Sequence, residues 1–194
     1  LTAVEEERIT RIKNDGSFPI NSIQKCLDVS KISFEEINVI AIYWQPWRLS
    51  ARVQGVIKLF IENPSYLKYF INRIASSFFG LKKNEHYSEL KGSWIDLFFI
   101  RKILKSNFDT FQNFKGKIVF LDHHECHAAS SSYISNFSKS ICLTYDGGGE
   151  TISTAIFLCD ENNNLKKIKS FNWPNSLGHF YSAFTGFLGF RMLE

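Results

Sequence analysis

Two histidines four residues apart are the strongest chemical signal in the sequence. They are His123 and His127, in a segment, Asp122-His-His-Glu-Cys-His127, that holds three of the chain's five histidines. On a helix, this spacing places both imidazoles on one face about one turn apart, so both can reach a single metal ion. Neutral imidazole binds iron, zinc, manganese or nickel, which leaves the metal open. The alternative is a coincidental surface cluster.

The neighbouring His124 lies one residue further round the same helix. It does not share the face of His123. We therefore expect it to contact substrate or phosphate, or to lie behind the metal ligands.

An aspartate followed by three glycines is the second signal. An apolar run leads to Asp146, and Gly147, Gly148 and Gly149 separate it from Glu150. Consecutive glycines let backbone N–H groups approach an anion, and an aspartate at a strand end can hold a metal directly or through water. The alternative is an ordinary Asp-Gly hairpin turn.

Basic residues near the start of the chain are a third candidate. Arg11 and Lys13 alternate in the charged segment that begins at Glu5. On an extended arm both side chains would project the same way and could grip phosphate. The alternative is a solvated charged strand.

The elements that must position these residues alternate along the chain. Short β-branched runs predict buried strands over 38–43 and 117–121, and Asp122 can cap a helix over 123–136. Further strands are predicted over 141–145, 151–158 and 166–171, with a hairpin turn at 162–164. A helix capped by Ser176 follows, to residue 190. This order predicts an α/β fold with a mixed sheet.

Three local patterns describe the first forty residues. Residues 1–13 are predicted to form a strand or hairpin that ends in the charged arm. Apolar spacing after Pro19 predicts a helix that reaches Val29. Ser33 and Glu36 form a capping-box pattern for a short helix.

Residues 48–116 are a basic, aromatic-rich section. Over 48–105 there are 11 Lys or Arg against 4 Asp or Glu. Helical apolar spacing over 95–104 leads us to interpret the section as a mainly helical insertion, with no nucleic acid as partner. The alternative is a surface for nucleic acid or anionic lipid, with Lys82, Lys83, Arg101 and Lys102 as its cations.

The composition is that of a globular chain. With 194 residues, 44% hydrophobic and 22% charged, it excludes a disordered chain and supplies a sizeable core. No apolar run reaches the roughly 18–20 residues that span a bilayer. Four irregularly spaced cysteines favour a reducing, cytoplasmic setting. The sequence begins at Leu1 and its single methionine is Met192, so we expect a piece of a longer protein.

Four ordered motifs resemble the carbamoyltransferase family of nodulation and antibiotic-biosynthesis enzymes. They are the Glu-Glu-Arg-x-x-Arg-x-Lys arm, Asp-His-His-x-x-His-Ala-Ala-Ser, the turn Thr-x-Asp-Gly-x-Gly-Glu, and Ser-Leu-Gly-x-x-Tyr-Ser-x-x-Thr-x-x-Leu-Gly-Phe. The resemblance runs along most of the chain and is loose over 48–116.

The resemblance implies a partial N-terminal domain over 1–194, truncated at both ends. Its fold would be the actin/Hsp70/sugar-kinase-like (ribonuclease H-like) ATPase fold, similar to the domain in enzymes that make threonylcarbamoyl-adenosine in tRNA. Carbamoyl phosphate and ATP would form carbamoyl-adenylate in a separate C-terminal YrdC-like domain. The carbamoyl group would then pass here to a hydroxyl of a small molecule. Because that C-terminal domain is missing, we expect this fragment to be inactive alone.

The resemblance also implies roles for the candidate residues. His123, His127 and Asp146 would hold Fe(II) or Mn(II), which bridges to the nucleotide phosphate, and His124 is a candidate base for the hydroxyl proton. The nucleotide or carbamoyl donor would be bound by the residues Arg11, Lys13, Gly147, Gly148, Gly149 and Glu150.

Two other functions stay open on the sequence. One is a metal-dependent hydrolase in which His123, His127 and Asp146 activate water, although the glutamate that directly follows the first histidine in zinc proteases is missing. The other is a non-catalytic binding module of the same fold, with the basic helices as its partner surface.

Overall fold

The computed structural model describes residues 2–13, 15–48 and 94–190, together with residues 50, 53, 54, 57, 61, 62 and 71. The chain divides into two compact units. The first comprises Leu1–Ile40, Leu67–Val119 and Arg191–Glu194, and the second comprises Ala41–Tyr66 and Phe120–Phe190. Lys82, Lys83 and most of the basic section lie outside the described residues.

The first unit begins with a helix where the sequence predicts a strand or hairpin. Helix α1 (Glu6–Thr10) carries Glu6 and Glu7 in its first turn, where carboxylates interact favourably with the helix dipole. The helix ends because Arg11 adopts a left-handed conformation with φ of 60°. The predicted extended arm is therefore wrong, and Arg11 and Lys13 do not alternate along a strand.

The carboxylate of Glu6 caps the second helix, α2 (Ile20–Ser30), which has the predicted position. It accepts the backbone N–H groups of Asn21 at 3.2 Å and Ser22 at 2.8 Å. Burial tends to raise the pKa of Glu6, but these hydrogen bonds outweigh it and hold the pKa below its ordinary value. An acid from α1 thus supplies the cap that Pro19 cannot.

Aromatic packing forms the core of the first unit. Phe34 is 2% exposed, and its ring centroid lies 5.1 Å from that of Phe108 and 5.2 Å from that of Phe111. The predicted Ser33–Glu36 capping box is present on a 3-10 helix over Phe34–Glu36. The described part of the basic section is helical as predicted, with α3 (Ile100–Asn107) between 3-10 helices at Trp94–Phe98 and Asp109–Asn113.

Two short strands have the positions predicted for them. They are β1 (Val39–Ile42) and β2 (Lys117–Phe120), and they form a two-stranded sheet. The N–H of Lys117 donates to Asn38 and that of Leu121 to Ile42, so the strands run in parallel. Their residues are exposed or half-buried, which corrects the prediction that both strands are buried.

The second unit contains an antiparallel sheet in the order β3-β4-β5. Its strands are β3 (Ser140–Tyr145), β4 (Ile152–Cys159) and β5 (Leu165–Asn172). Helix α4 (His123–Ser132) packs on it through a core in which Ala128 and Ala155 are fully buried with Phe157. Small residues let the helix approach the sheet closely. The helix ends at Ser132, four residues before the predicted end.

The last helix, α5 (Leu177–Phe187), begins against the turn that follows β3. Ser176 is its N-cap, as predicted, and accepts the N–H of His179. The Ser176 hydroxyl also donates to the carbonyl of Asp146 at 2.5 Å. A Cβ on Gly178 would lie 2.5 Å from the backbone carbon of Asp146, so only glycine fits there.

In the part of the chain that the structure describes, the fold is mixed α/β, with one parallel strand pair and one antiparallel sheet. This confirms the α/β prediction at the level of class. Within the described ranges, no helix has the length and apolar character needed to cross a membrane.

Candidate metal centre

Helix α4 places His123 and His127 on one face, as their spacing predicts. Asp122 starts the helix because its carboxylate accepts the N–H of Glu125 at 3.2 Å, which is the usual N-cap contact. The Nε2 atoms of His123 and His127 face each other at 3.0 Å.

Strand β3 delivers Asp146 to the same point. Its Oδ2 lies 2.7 Å from Nε2 of His123 and 3.5 Å from Nε2 of His127. Two nitrogens and one oxygen from two different elements therefore converge, as a metal site requires. Asp146 Oδ1 is buried and has no hydrogen-bond partner among the described residues.

The local electrostatics favour the protonation states that bind a metal. Burial raises the pKa of Asp146, but the hydrogen bond from His123 and the charges of His124 and His123 outweigh it, so the pKa is lowered. Burial and His123 lower the pKa of His127, although Asp146 opposes them. Carboxylate and neutral imidazole are the forms that coordinate metals.

Two neighbours fix the ring of His123, and one of them, Trp44, is not among the residues predicted from the sequence. A Cβ on Gly149 would lie 3.0 Å from His123 Cβ, so a side chain there would push the ring aside. On another side, the ring of Trp44 lies 4.7 Å from that of His123 with an interplanar angle of 31°. Trp44 is the second residue after β1, and His123 is the third residue after β2. The ends of parallel strands share one sheet edge, and this signal could have revealed Trp44.

His124 faces the core and not the open side of the cluster. It is 1% exposed, with Nδ1 2.9 Å from the Thr144 hydroxyl and Nε2 2.8 Å from the Ile152 carbonyl. A carbonyl only accepts, so Nε2 carries a proton, and neither nitrogen is open to a substrate. This corrects the expectation that His124 is the base or contacts substrate: it joins α4 to β3 and β4.

Glu150 is also buried, at 2% exposure. One carboxylate oxygen accepts the N–H of Gln45 at 2.8 Å and the other accepts the N–H of His123 at 3.3 Å. The acid thus ties the start of α4 to the segment after β1. This arrangement does not fit the expected contact with a nucleotide, because both oxygens are already used inside the protein.

The three glycines do not present three equivalent amides. The N–H of Gly149 donates to Ile152 at 2.7 Å, and the N–H of Gly148 contributes to lowering the pKa of Asp146. Of the three predicted phosphate-binding amides, only that of Gly147 forms no hydrogen bond within the described residues. His179 approaches it, 3.7 Å from where a Gly147 Cβ would lie.

Arg11 and Lys13 are exposed and belong to the first unit, whereas the three candidate ligands belong to the second. Their predicted contact with phosphate or the carbamoyl donor stays a prediction.

Comparison with known proteins identifies the class of this chain. The family model described as "Carbamoyltransferase N-terminus" matches residues 1–193. The chain belongs to this carbamoyltransferase family, which confirms the resemblance drawn from its motifs.

Individual relatives match nearly the whole chain. The present chain is 30% identical over 197 residues to the uncharacterized protein sll1178 of Synechocystis sp., and the match covers 99% of this chain and 29% of that protein. It is 26% identical over 194 residues to the nodulation protein NolNO of Sinorhizobium fredii, covering 100% of this chain and 24% of NolNO. The chain therefore spans less than a third of the length of these two relatives.

Proposed function

We propose that this chain is part of an ATP- and metal-dependent O-carbamoyltransferase. The enzyme would take the carbamoyl group of carbamoyl phosphate through carbamoyl-adenylate to a hydroxyl of a small molecule. Family membership supports the carbamoyl chemistry. The convergence of His123, His127 and Asp146 on one point supports the metal.

The donor set fits Fe(II) or Mn(II). Two imidazole nitrogens and one carboxylate oxygen suit a divalent ion of intermediate hardness. Oδ1 of Asp146, which has no hydrogen-bond partner among the described residues, is an oxygen that a ligand could satisfy. When bound, the ion would supply positive charge that offsets negative charge on a phosphate as the acyl–phosphate bond breaks.

The chain's own residues hold this donor set in place. Nε2 of His123 lies 2.7 Å from Oδ2 of Asp146, so these two candidate ligand atoms are already brought together. Glu150 holds the backbone N–H of His123, and His124 joins the helix to the sheet. We therefore assign to Glu150 and His124 the role of positioning helix α4 and its metal ligands. The Gly147 amide, Arg11 and Lys13 remain the candidates for contact with phosphate or the carbamoyl donor.

The same proposal includes three expectations about the whole protein. The domain would have the actin-like, ribonuclease H-like ATPase fold, with 48–116 as an insertion. A C-terminal YrdC-like domain of the same parent chain would form the carbamoyl-adenylate. The protein would work in the cytoplasm, in keeping with four free cysteines in this chain.

The test uses the full-length parent protein, purified without oxygen or chelators. Its Fe and Mn content would be measured together with AMP release from ATP and carbamoyl phosphate in the presence of hydroxyl compounds that can accept the carbamoyl group. We expect bound metal in the parent, loss of metal and slower AMP release in His127→Ala and Asp146→Asn, and no change in the matched control Glu125→Gln on the same helix. A metal-free parent, or variants that keep their metal, would refute the proposed site. Bound metal without any AMP release would favour the hydrolase instead.

A further inference from the structure

The first turn of α5 brings a histidine to the turn that carries the candidate metal ligand Asp146. His179 is the third residue of α5, and its backbone N–H donates to the hydroxyl of the N-cap Ser176 at 3.0 Å. The Ser176 hydroxyl in turn donates to the Asp146 carbonyl, and the N–H of Gly178 donates to the same carbonyl at 3.2 Å. The hydrogen bonds at the start of the helix therefore fix where His179 lies relative to Asp146.

A tryptophan determines which nitrogen of His179 carries a proton. Nε1 of Trp173 lies 2.9 Å from Nε2 of His179. An indole N–H can only donate, so Nε2 accepts and the single proton of the neutral imidazole is on Nδ1. Trp173 is itself held, because it follows β5 directly and its backbone N–H donates to the Thr151 carbonyl at 2.9 Å. His179 therefore has a defined tautomer, in which the ring donor is the Nδ1–H group.

The His179 ring faces the glycine turn after β3. Its Cε1 atom, which is bonded to Nδ1, lies 3.7 Å from where a Cβ on Gly147 would lie. Gly147 is also the glycine of this turn whose backbone N–H forms no hydrogen bond within the described residues. Two N–H donors, one from a ring and one from the backbone, are therefore present next to Asp146. Preorganised N–H donors are a usual means of binding the oxygens of an anion.

A neutral histidine suits a phosphoryl group that is bound beside a metal ion. Asp146, the residue before Gly147, belongs to the candidate metal centre, and in the proposed function the ion offsets negative charge on a phosphate. A lysine or arginine in place of His179 would add a second positive charge near the ion, and like charges repel more strongly inside a protein than in water. The neutral imidazole donates a hydrogen bond without that charge. The residue type therefore matches a phosphate oxygen as its acceptor.

We propose that His179 contacts the substrate through its Nδ1–H group, which donates to a phosphoryl oxygen next to the Gly147 amide. The phosphoryl group belongs to the adenylate or to carbamoyl phosphate, and separate probes distinguish these two sources. The assignment rests on the proposed function, because that function supplies the phosphate. It differs from a structural role, in which the ring would only accept the indole N–H of Trp173.

Titration calorimetry of the full-length parent protein with AMP, and separately with carbamoyl phosphate, measures this contact. His179→Phe removes one hydrogen bond to a charged group and should weaken binding of one probe by about tenfold to a hundredfold; the weakened probe identifies the source of the phosphate. Trp173→Phe leaves the ring but no longer confines its proton to Nδ1, so we expect a loss of about two- to threefold. The matched control is Trp47→Phe, whose ring packs on Phe120 with centroids 5.1 Å apart and which should bind both probes as the parent does.

Nitrogen NMR of the parent protein with isotope-labelled histidine gives a readout that a structural role would not change. The His179 signals, identified by their absence in His179→Phe, should show a protonated Nδ1 and an unprotonated Nε2, and the bound probe should shift the Nδ1 signal. A proton on Nε2, an unshifted Nδ1 signal, or parent-like affinity in His179→Phe for both probes would overturn the assignment while AMP release by the parent still supports the proposed function. A parent that binds neither AMP nor carbamoyl phosphate would overturn both.

Discussion

Replacing Gly178 with alanine should destabilise the protein, although helix propensity alone predicts the opposite. Alanine in place of glycine stabilises a helix by about 0.5–1 kcal/mol. Here the new Cβ would lie 2.5 Å from the backbone carbon of Asp146 and 2.6 Å from the backbone nitrogen of Gly147. Neither atom can rotate away, so the turn or the helix must move by roughly 1 Å. Overpacking of this kind costs about 1–3 kcal/mol.

The effect should extend to the candidate metal centre, because the displaced residue is Asp146 itself. Misplacement of a site group by about 1 Å can cost about a hundredfold in activity. Hydrogen exchange in the turn after β3 measures the local free energy of opening, and metal content measures the ligand geometry. Gly147→Ala is the matched control, because its Cβ would meet only the His179 ring, at an ordinary 3.7 Å. Equal exchange rates and equal metal content in Gly178→Ala and Gly147→Ala would refute this reasoning.

Three further substitutions test individual contacts. The folded pKa of Glu6 lies below its ordinary 4.5, so its ionised form stabilises the fold above that pH and the contribution disappears as the pH falls through the folded pKa. Glu6→Gln should therefore reduce the loss of stability as the pH falls below that ordinary pKa, whereas Glu5→Gln, which removes an exposed ion pair, should not. Glu150→Gln should cost about 1.5–3 kcal/mol in thermal or urea unfolding, because its one carbonyl oxygen can accept only one of the two backbone N–H groups and its NH2 group faces the other; it should also weaken metal retention. His124→Phe should cost about 1–3 kcal/mol because two buried polar groups, the Thr144 hydroxyl and the Ile152 carbonyl, lose a hydrogen-bond partner. An unchanged unfolding midpoint would contradict the role of His124 in joining the helix to the sheet.

The candidate ligands could be predicted because their signals are local. A spacing of four residues on a capped helix fixes the relation of His123 to His127, and a strand that ends at Asp146 follows from a short apolar run. The positions of most strands and of the helices that begin after Pro19, Asp122 and Ser176 rest on equally local patterns.

The errors concern residues whose environment depends on distant parts of the chain. From the sequence, His124 is expected to contact substrate. Its position one residue after His123 on α4 instead directs its ring into the core between the helix and the sheet. Glu150 binds the amide of Gln45, which is 105 residues away, and no spacing rule shows that contact. Residues 6–10 form helix α1 although they lack an apolar stripe. The hydrogen bonds from the start of α2 to the Glu6 carboxylate hold α1 in place.

X-ray absorption spectroscopy of the full-length parent loaded with Mn(II) tests the central claim most directly. We expect scattering from two imidazoles and at least one oxygen around the metal, and no protein-bound metal signal in His127→Ala, which should lose the ion. A spectrum without imidazole, or one that the His127→Ala substitution leaves unchanged, would contradict it.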